Sequence, residues 1–101
     1  MIDFWAFWCA ACHELEQFTF TDPRVQKLTE NFHVFKYDAT KVTPETKKWM
    51  EKFSIHGLPT VIFLSSEGQW LEELTLNEYE SADQFLIRLQ KVLDRKDLTT
   101  Q

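Results

Sequence analysis

The sequence predicts an α/β domain: a mixed four-stranded sheet with helices on both faces. Three observations carry that reading. Ile2 to Phe7 is apolar on both sides of an extended chain except at Asp3, as a strand covered by helices on each face requires. The elements along the chain follow the order β-α-α-β-α-β-β-α, which suits a mixed sheet between helical layers. The 101 residues are 44% hydrophobic, with nine Phe and four Trp, enough for one real core and too few for two.

Each element has a local cause. After the first strand, Trp8 leads into Cys9-Ala10-Ala11-Cys12, and good helix formers continue to about Phe18. Asp22-Pro23 pairs an N-cap with a proline at the first helical position, and this second helix runs to about Glu30. Phe32 to Asp38 reads as the second strand. Thr43-Pro44 repeats the cap-plus-proline signal and opens a helix through Phe53, with Trp49, Met50 and Phe53 on one face. Gly57-Leu58-Pro59 breaks the chain. Thr60 to Leu64, rich in β-branched and aromatic residues, is the third strand. Ser65 to Gly68 forms a turn, and Gln69 to Leu76 alternates as a hairpin partner and fourth strand. Ser81 and Gln84 form a capping box for a last helix with Phe85, Leu86, Leu89, Val92 and Leu93 on its apolar side. Residues 1–101 thus make one domain, whose polar tail is expected to fray from about Arg95.

Charge removes some functions. The formal net charge is −5, and no basic stripe interleaved with aromatics occurs, which argues against nucleic-acid binding. No apolar run approaches the roughly 20 residues of a membrane span.

Cys9 and Cys12 are the only cysteines. A loop this short removes little entropy from the unfolded chain, so a structural purpose is a poor explanation for the pair. Chemistry explains it better. At the first turn of a helix, unpaired N–H groups and the helix dipole favour an anion, which lowers the pKa of Cys9 and makes it nucleophilic. Cys12, three residues on, lies on the same face and can close a ring with it. Two rivals exist. Cys9-Ala10-Ala11-Cys12-His13 also fits the C-x-x-C-H pattern of covalent haem attachment, with Met50 as a second axial ligand. A buried strand running into the motif, and the β content around it, weigh against haem. Zinc would need four ligands, and Cys9 and Cys12 with distant His33 or His56 supply no second pair. The three histidines read as surface or loop residues. No cofactor is implied beyond the Cys9–Cys12 disulfide itself.

The run Asp3-Phe4-Trp5-Ala6-Phe7-Trp8-Cys9-Ala10-Ala11-Cys12 resembles the active-site segment of the thioredoxin superfamily, and Gly57-Leu58-Pro59-Thr60 resembles its cis-proline loop. The stretch from Cys12 through Glu16, Thr19, Phe20 and Asp22-Pro23 to Gln26 is similar to the C-terminal, periplasmic thioredoxin-like domain of the thiol:disulfide interchange protein DsbD family. The likeness continues through Asp38-Ala39-Thr40 and fades after about Gly68.

That resemblance implies a protein-disulfide reductase in the periplasm. The domain would take electrons from a membrane-embedded donor domain and pass them to a periplasmic acceptor domain, its partners being protein dithiols and disulfides. Cys9 would attack and Cys12 resolve. Pro59 would be cis, freeing the Leu58 backbone to pair with a substrate strand, and Trp8 would form part of the apolar rim. Asp3 and Glu16 match carboxylates that tune the thiols and move their protons. A monomer is expected.

The chain also departs from the family. The family carries a strand and helix before the segment that begins here at Ile2; a shortened variant without them would leave the Phe32–Asp38 strand at an edge, whereas a sequence that starts late would not. The loop before the last helix reads Asn77-Glu78-Tyr79 where glycine is usual, and His13 replaces the common lysine. Two other functions compete: a stand-alone thioredoxin-like reductase or oxidase, and a redox-inert adaptor that uses the same fold only to bind.

Overall fold

The computed structural model describes residues 1–99. Strand β1 (Ile2–Trp5) lies at the centre of the sheet, between β2 (Phe35–Asp38) and β3 (Thr60–Ile62). It pairs parallel with β2 and antiparallel with β3, which makes the sheet mixed. Helices α1 (Ala10–Glu14), α2 (Pro23–Thr29), α3 (Pro44–Lys52) and α4 (Ala82–Thr99) cover it on both faces. The last two residues of the polar tail, for which fraying is expected, lie outside the described residues.

The sheet has three strands, so the expected fourth is corrected. Gln69–Leu76 does fold back along β3, but only through isolated bridges, Leu64 to Trp70 and Val61 to Leu76. Between them the chain turns through a short 3₁₀ segment, Glu72–Leu74. Alternation explains why. A strand sends residues of opposite parity to opposite faces. Here Leu71, Leu74 and Leu76 all enter the same buried cluster, while Glu72 and Glu73 are both exposed. A flat strand cannot satisfy that pattern, and a helical turn can.

Helix starts follow their caps. Asp22 accepts from the Arg24 N–H at 2.8 Å, and Thr43 Oγ1 accepts from the Thr46 N–H at 3.1 Å. The Ser81–Gln84 box closes in both directions, at 3.3 and 3.0 Å. The first helix differs from the regular one expected. Beyond α1 it widens into a π-helical segment, Leu15–Thr19, with the Phe20 N–H donating to the Leu15 carbonyl at 2.8 Å. Among the described residues no helix is long and apolar enough to cross a membrane.

Two cores flank the sheet. Ile2, Phe4 and Ile62 point to one side, where they meet Trp49, Met50, Phe53 and Trp70. Val61 and Phe63 point to the other, where Leu15, Val25, Phe85, Leu89 and Val92 close over them. Asp3 alternates with Ile2 and Phe4 and therefore faces this second side.

One polar clamp joins the last helix to the loop before it. Arg88 forks onto both Glu80 carboxylate oxygens at 2.8 Å, and its remaining nitrogen donates to the Leu74 and Thr75 carbonyls at 2.9 and 3.2 Å. Both side chains are mostly buried, at 21% and 16% exposure. Arg88→Met should cost about 2 kcal/mol, because it strands Glu80 and two carbonyls, and Arg88→Lys should recover little of it. Urea unfolding checks this.

Candidate active site

The site grows from the end of β1. Ala6 is fully buried, and its carbonyl accepts from the Cys9 N–H at 3.1 Å, closing a tight turn with Phe7 and Trp8 at its tip. Cys9 is the N-cap of α1, in an extended conformation. Its Sγ accepts from the Cys12 N–H at 3.1 Å, an otherwise unpaired donor of the first helical turn. The two sulfurs are joined in a disulfide, with the Cα atoms 5.3 Å apart. In this oxidised form Cys9 and Cys12 are equally buried, at 5% and 6% exposure. What separates them is the helix start: the Cys9 sulfur faces the backbone donor.

Trp5, Ala11 and Leu58 pack against the pair, and the Leu58–Pro59 peptide is cis. Trp8 stands out into solvent immediately before Cys9, its indole N–H held by the Thr40 carbonyl at 3.1 Å. His13 is exposed, and its Nε2 donates to the Phe7 carbonyl at 2.7 Å. His33 and His56 are also exposed, and Met50 packs in the aromatic core. Among the described residues no group of three or more His, Cys, Asp and Glu is placed to hold a metal.

Asp3 and Glu16 come together, with a residue that the sequence analysis did not single out. In the β1–β2 register Asp3 pairs with Lys36, so the two side chains leave the same face of the sheet. Asp3, Glu16 and Lys36 line one cavity of about 320 Å³, walled by Phe20 and Val25. Lys36 Nζ donates to Glu16 Oε1 at 2.8 Å. Burial lifts the Asp3 carboxyl from its ordinary value of 3.8 to about 6; the Lys36 ammonium pulls it down and the Glu16 carboxylate pushes it up. The register signal that could have found Lys36 exists only once β1 and β2 are aligned.

A helix-start cysteine pair in this α/β frame, packed against a cis-proline loop, defines a thioredoxin-fold dithiol–disulfide domain. Its sequence agrees: residues 1–93 match the thioredoxin-like domain family, and the chain belongs to that family. Among relatives, DsbD from Photorhabdus laumondii is 38% identical over 90 residues, covering 89% of this chain and 16% of its own. DsbD from Haemophilus influenzae is 37% identical over 93 residues, covering 92% and 16%. The chain thus spans about a sixth of the length of these relatives. The oxidised C-terminal domain of Neisseria meningitidis DsbD superposes with a TM-score of 0.81 at 29% identity, covering 89% of this chain and 76% of that one. A thioredoxin from Thermus thermophilus gives 0.81 at 26% identity, covering 99% and 77%. Thiol–disulfide exchange is the chemistry that the Cys9–Cys12 disulfide in this DsbD-like fold supports.

The buried carboxyl makes two predictions. Native Asp3 keeps its proton to higher pH than the unfolded chain does, so its contribution favours folding below about pH 4 and is lost as the pH rises through about 6. Asp3→Asn should therefore be more stable than the parent above neutrality, by up to about 3 kcal/mol, with the gap closing in acid. Denaturant melts at acidic and neutral pH check it. Lys36→Met should raise the Asp3 pKa further and Glu16→Gln should lower it, opposite movements that a carboxyl NMR titration resolves.

Proposed function

We propose that this domain is an electron-relay module of a DsbD-like reductase, working on the periplasmic side of a bacterial inner membrane. The observation that carries the reading is the Cys9–Cys12 disulfide at the helix start, whose first sulfur is held by a backbone N–H. The likeness to DsbD sequences over about nine-tenths of the chain supports the setting.

In the reduced domain the Cys9 thiolate attacks a disulfide of the acceptor. A bond forms between Cys9 and one acceptor sulfur, and the other acceptor sulfur leaves as a thiolate. Cys12 then gives up its proton, with Asp3 as acceptor, and attacks the Cys9 sulfur. The bond between Cys9 and the acceptor sulfur breaks, that sulfur departs as a thiolate, two electrons have passed to the partner, and the Cys9–Cys12 disulfide remains. A dithiol of the membrane-embedded donor domain reduces it again by the same steps in reverse.

Asp3 suits the proton step, because a carboxyl lifted to about 6 exchanges protons near neutrality. Glu16 sets the charge beside it. Leu58, packed on the cysteine pair, would offer its backbone to a partner strand next to Pro59, and exposed Trp8 would form the rim that the partner covers. The similarity to a Thermus thermophilus thioredoxin keeps a stand-alone reductase as the second reading.

Trapping tests the roles. Cys12→Ser should accumulate mixed disulfides with partner proteins through Cys9, visible on non-reducing gels and lost with dithiothreitol. A Cys9→Ser/Cys12→Ser double variant should accumulate none. Equal trapping by a Cys9→Ser single variant would remove the assignment of Cys9 as attacker.

A further inference from the structure

The turn that delivers Cys9 has little hydrophobic burial of its own. Phe7 is 76% exposed and Trp8 63%, so their rings gain too little packing to fix the peptides between Ala6 and Cys9. Directional hydrogen bonds remain, and two of them converge on one residue beyond β2. The Phe7 N–H donates to Thr40 Oγ1 at 2.9 Å, and the Trp8 Nε1–H donates to the Thr40 carbonyl at 3.1 Å. Thr40 is itself held. Its hydroxyl donates to Asp38 Oδ1 at 2.5 Å and its N–H donates to the same oxygen at 2.9 Å. A hydroxyl carries one proton, so committing it to Asp38 turns the oxygen lone pairs toward Phe7.

We infer that Thr40, oriented by Asp38, is a positioning residue that fixes the Trp8 indole beside Cys9 and so governs the approach of protein disulfides to the nucleophile. This rests on the exchange reading above. The same Thr40 hydroxyl and amide hold the Asp38 carboxyl below its ordinary range, which keeps it ionised as an acceptor at neutral pH. On the other side of the turn, His13 holds the Phe7 carbonyl, so the Phe7 residue is gripped at both its N–H and its C=O. Small disulfides do not lean on the rim. A protein disulfide must cover it, and a displaced indole changes the surface that it meets.

The test compares the parent protein with Thr40→Val and Thr40→Ser, each reduced beforehand. Rates are measured with insulin as the protein disulfide and with oxidised glutathione as the small one, and exchange of the Phe7 amide proton is followed by NMR. Valine should slow the insulin reaction about fivefold, the worth of one hydrogen bond, and leave the glutathione reaction within about twofold. It should speed Phe7 amide exchange about tenfold, and serine should restore all three. Should valine fold poorly, Thr40→Ala, which removes the same hydroxyl without setting a methyl group against the Phe7 amide, should give the same insulin-selective loss. Equal slowing with both disulfides, no slowing with insulin, or an equally fast Phe7 amide in the parent would each overturn the inference. A parent that reduces neither disulfide sinks the exchange reading and this role together, whereas failure confined to the Thr40 comparisons overturns the inference alone.

Discussion

The position of β1 between two partners is the constraint on which the rest depends. Parallel pairing with β2 and antiparallel pairing with β3 fix its register on both sides, so no residue of Ile2–Trp5 can slip without inverting its faces. That register sends Ile2 and Phe4 into the aromatic core under α3 and sends Asp3 into the other layer. It also ends the strand where the buried Ala6 carbonyl can start the turn into Cys9. A one-residue slip would turn Phe4 toward the layer that holds Asp3 and bring Asp3 to the aromatic side. The cysteines would then be carried on a strand with no stable seat.

Holding a carboxyl at Asp3 opposes stability near neutral pH, since burial favours its protonated form. An apolar residue there would pack against Val61 and Val25 without that penalty. The domain instead sets beside the carboxyl one cation and one anion, Lys36 and Glu16, that act on it in opposite directions and pair with each other. Both partners are about half exposed, so solvent screens much of their pull and burial remains the dominant influence. The result is a carboxyl raised to about 6 by its own burial.

Much of this was legible in the residues. Helix starts at Asp22-Pro23, Thr43-Pro44 and Ser81 follow from side-chain acceptors placed one turn before their donors, a purely local relation. The cysteine spacing and the two-sided hydrophobicity of Ile2–Phe7 are local as well. The fourth strand failed because period-two alternation in Gln69–Leu76 is interrupted by Glu72 and Glu73. Only the shared burial of Leu71, Leu74 and Leu76 in one cluster reveals the helical turn between them. Lys36 was invisible for a different reason. Nothing in Phe35-Lys36-Tyr37-Asp38 marks its lysine until the strand is laid beside β1 and the pairing with Asp3 appears. Relations within one turn of chain can be read from sequence, whereas relations across a sheet need the register.

The site therefore joins two kinds of order. The sulfurs are set by packing: Ala6, Trp5, Ala11 and Leu58 enclose them, and interior packing tolerates little displacement. The rim is set by hydrogen bonds on an exposed turn, where Phe7 and Trp8 meet solvent. Exchange with a protein disulfide asks for both. In the exchange proposed above, the nucleophile would be fixed against its backbone donor, and a partner would cover and release the apolar turn. Packing these rings into the core would fix the indole more firmly, but it would bury the apolar surface that the turn presents to solvent. Tethering it through Thr40 keeps the rings outside while limiting where they can go.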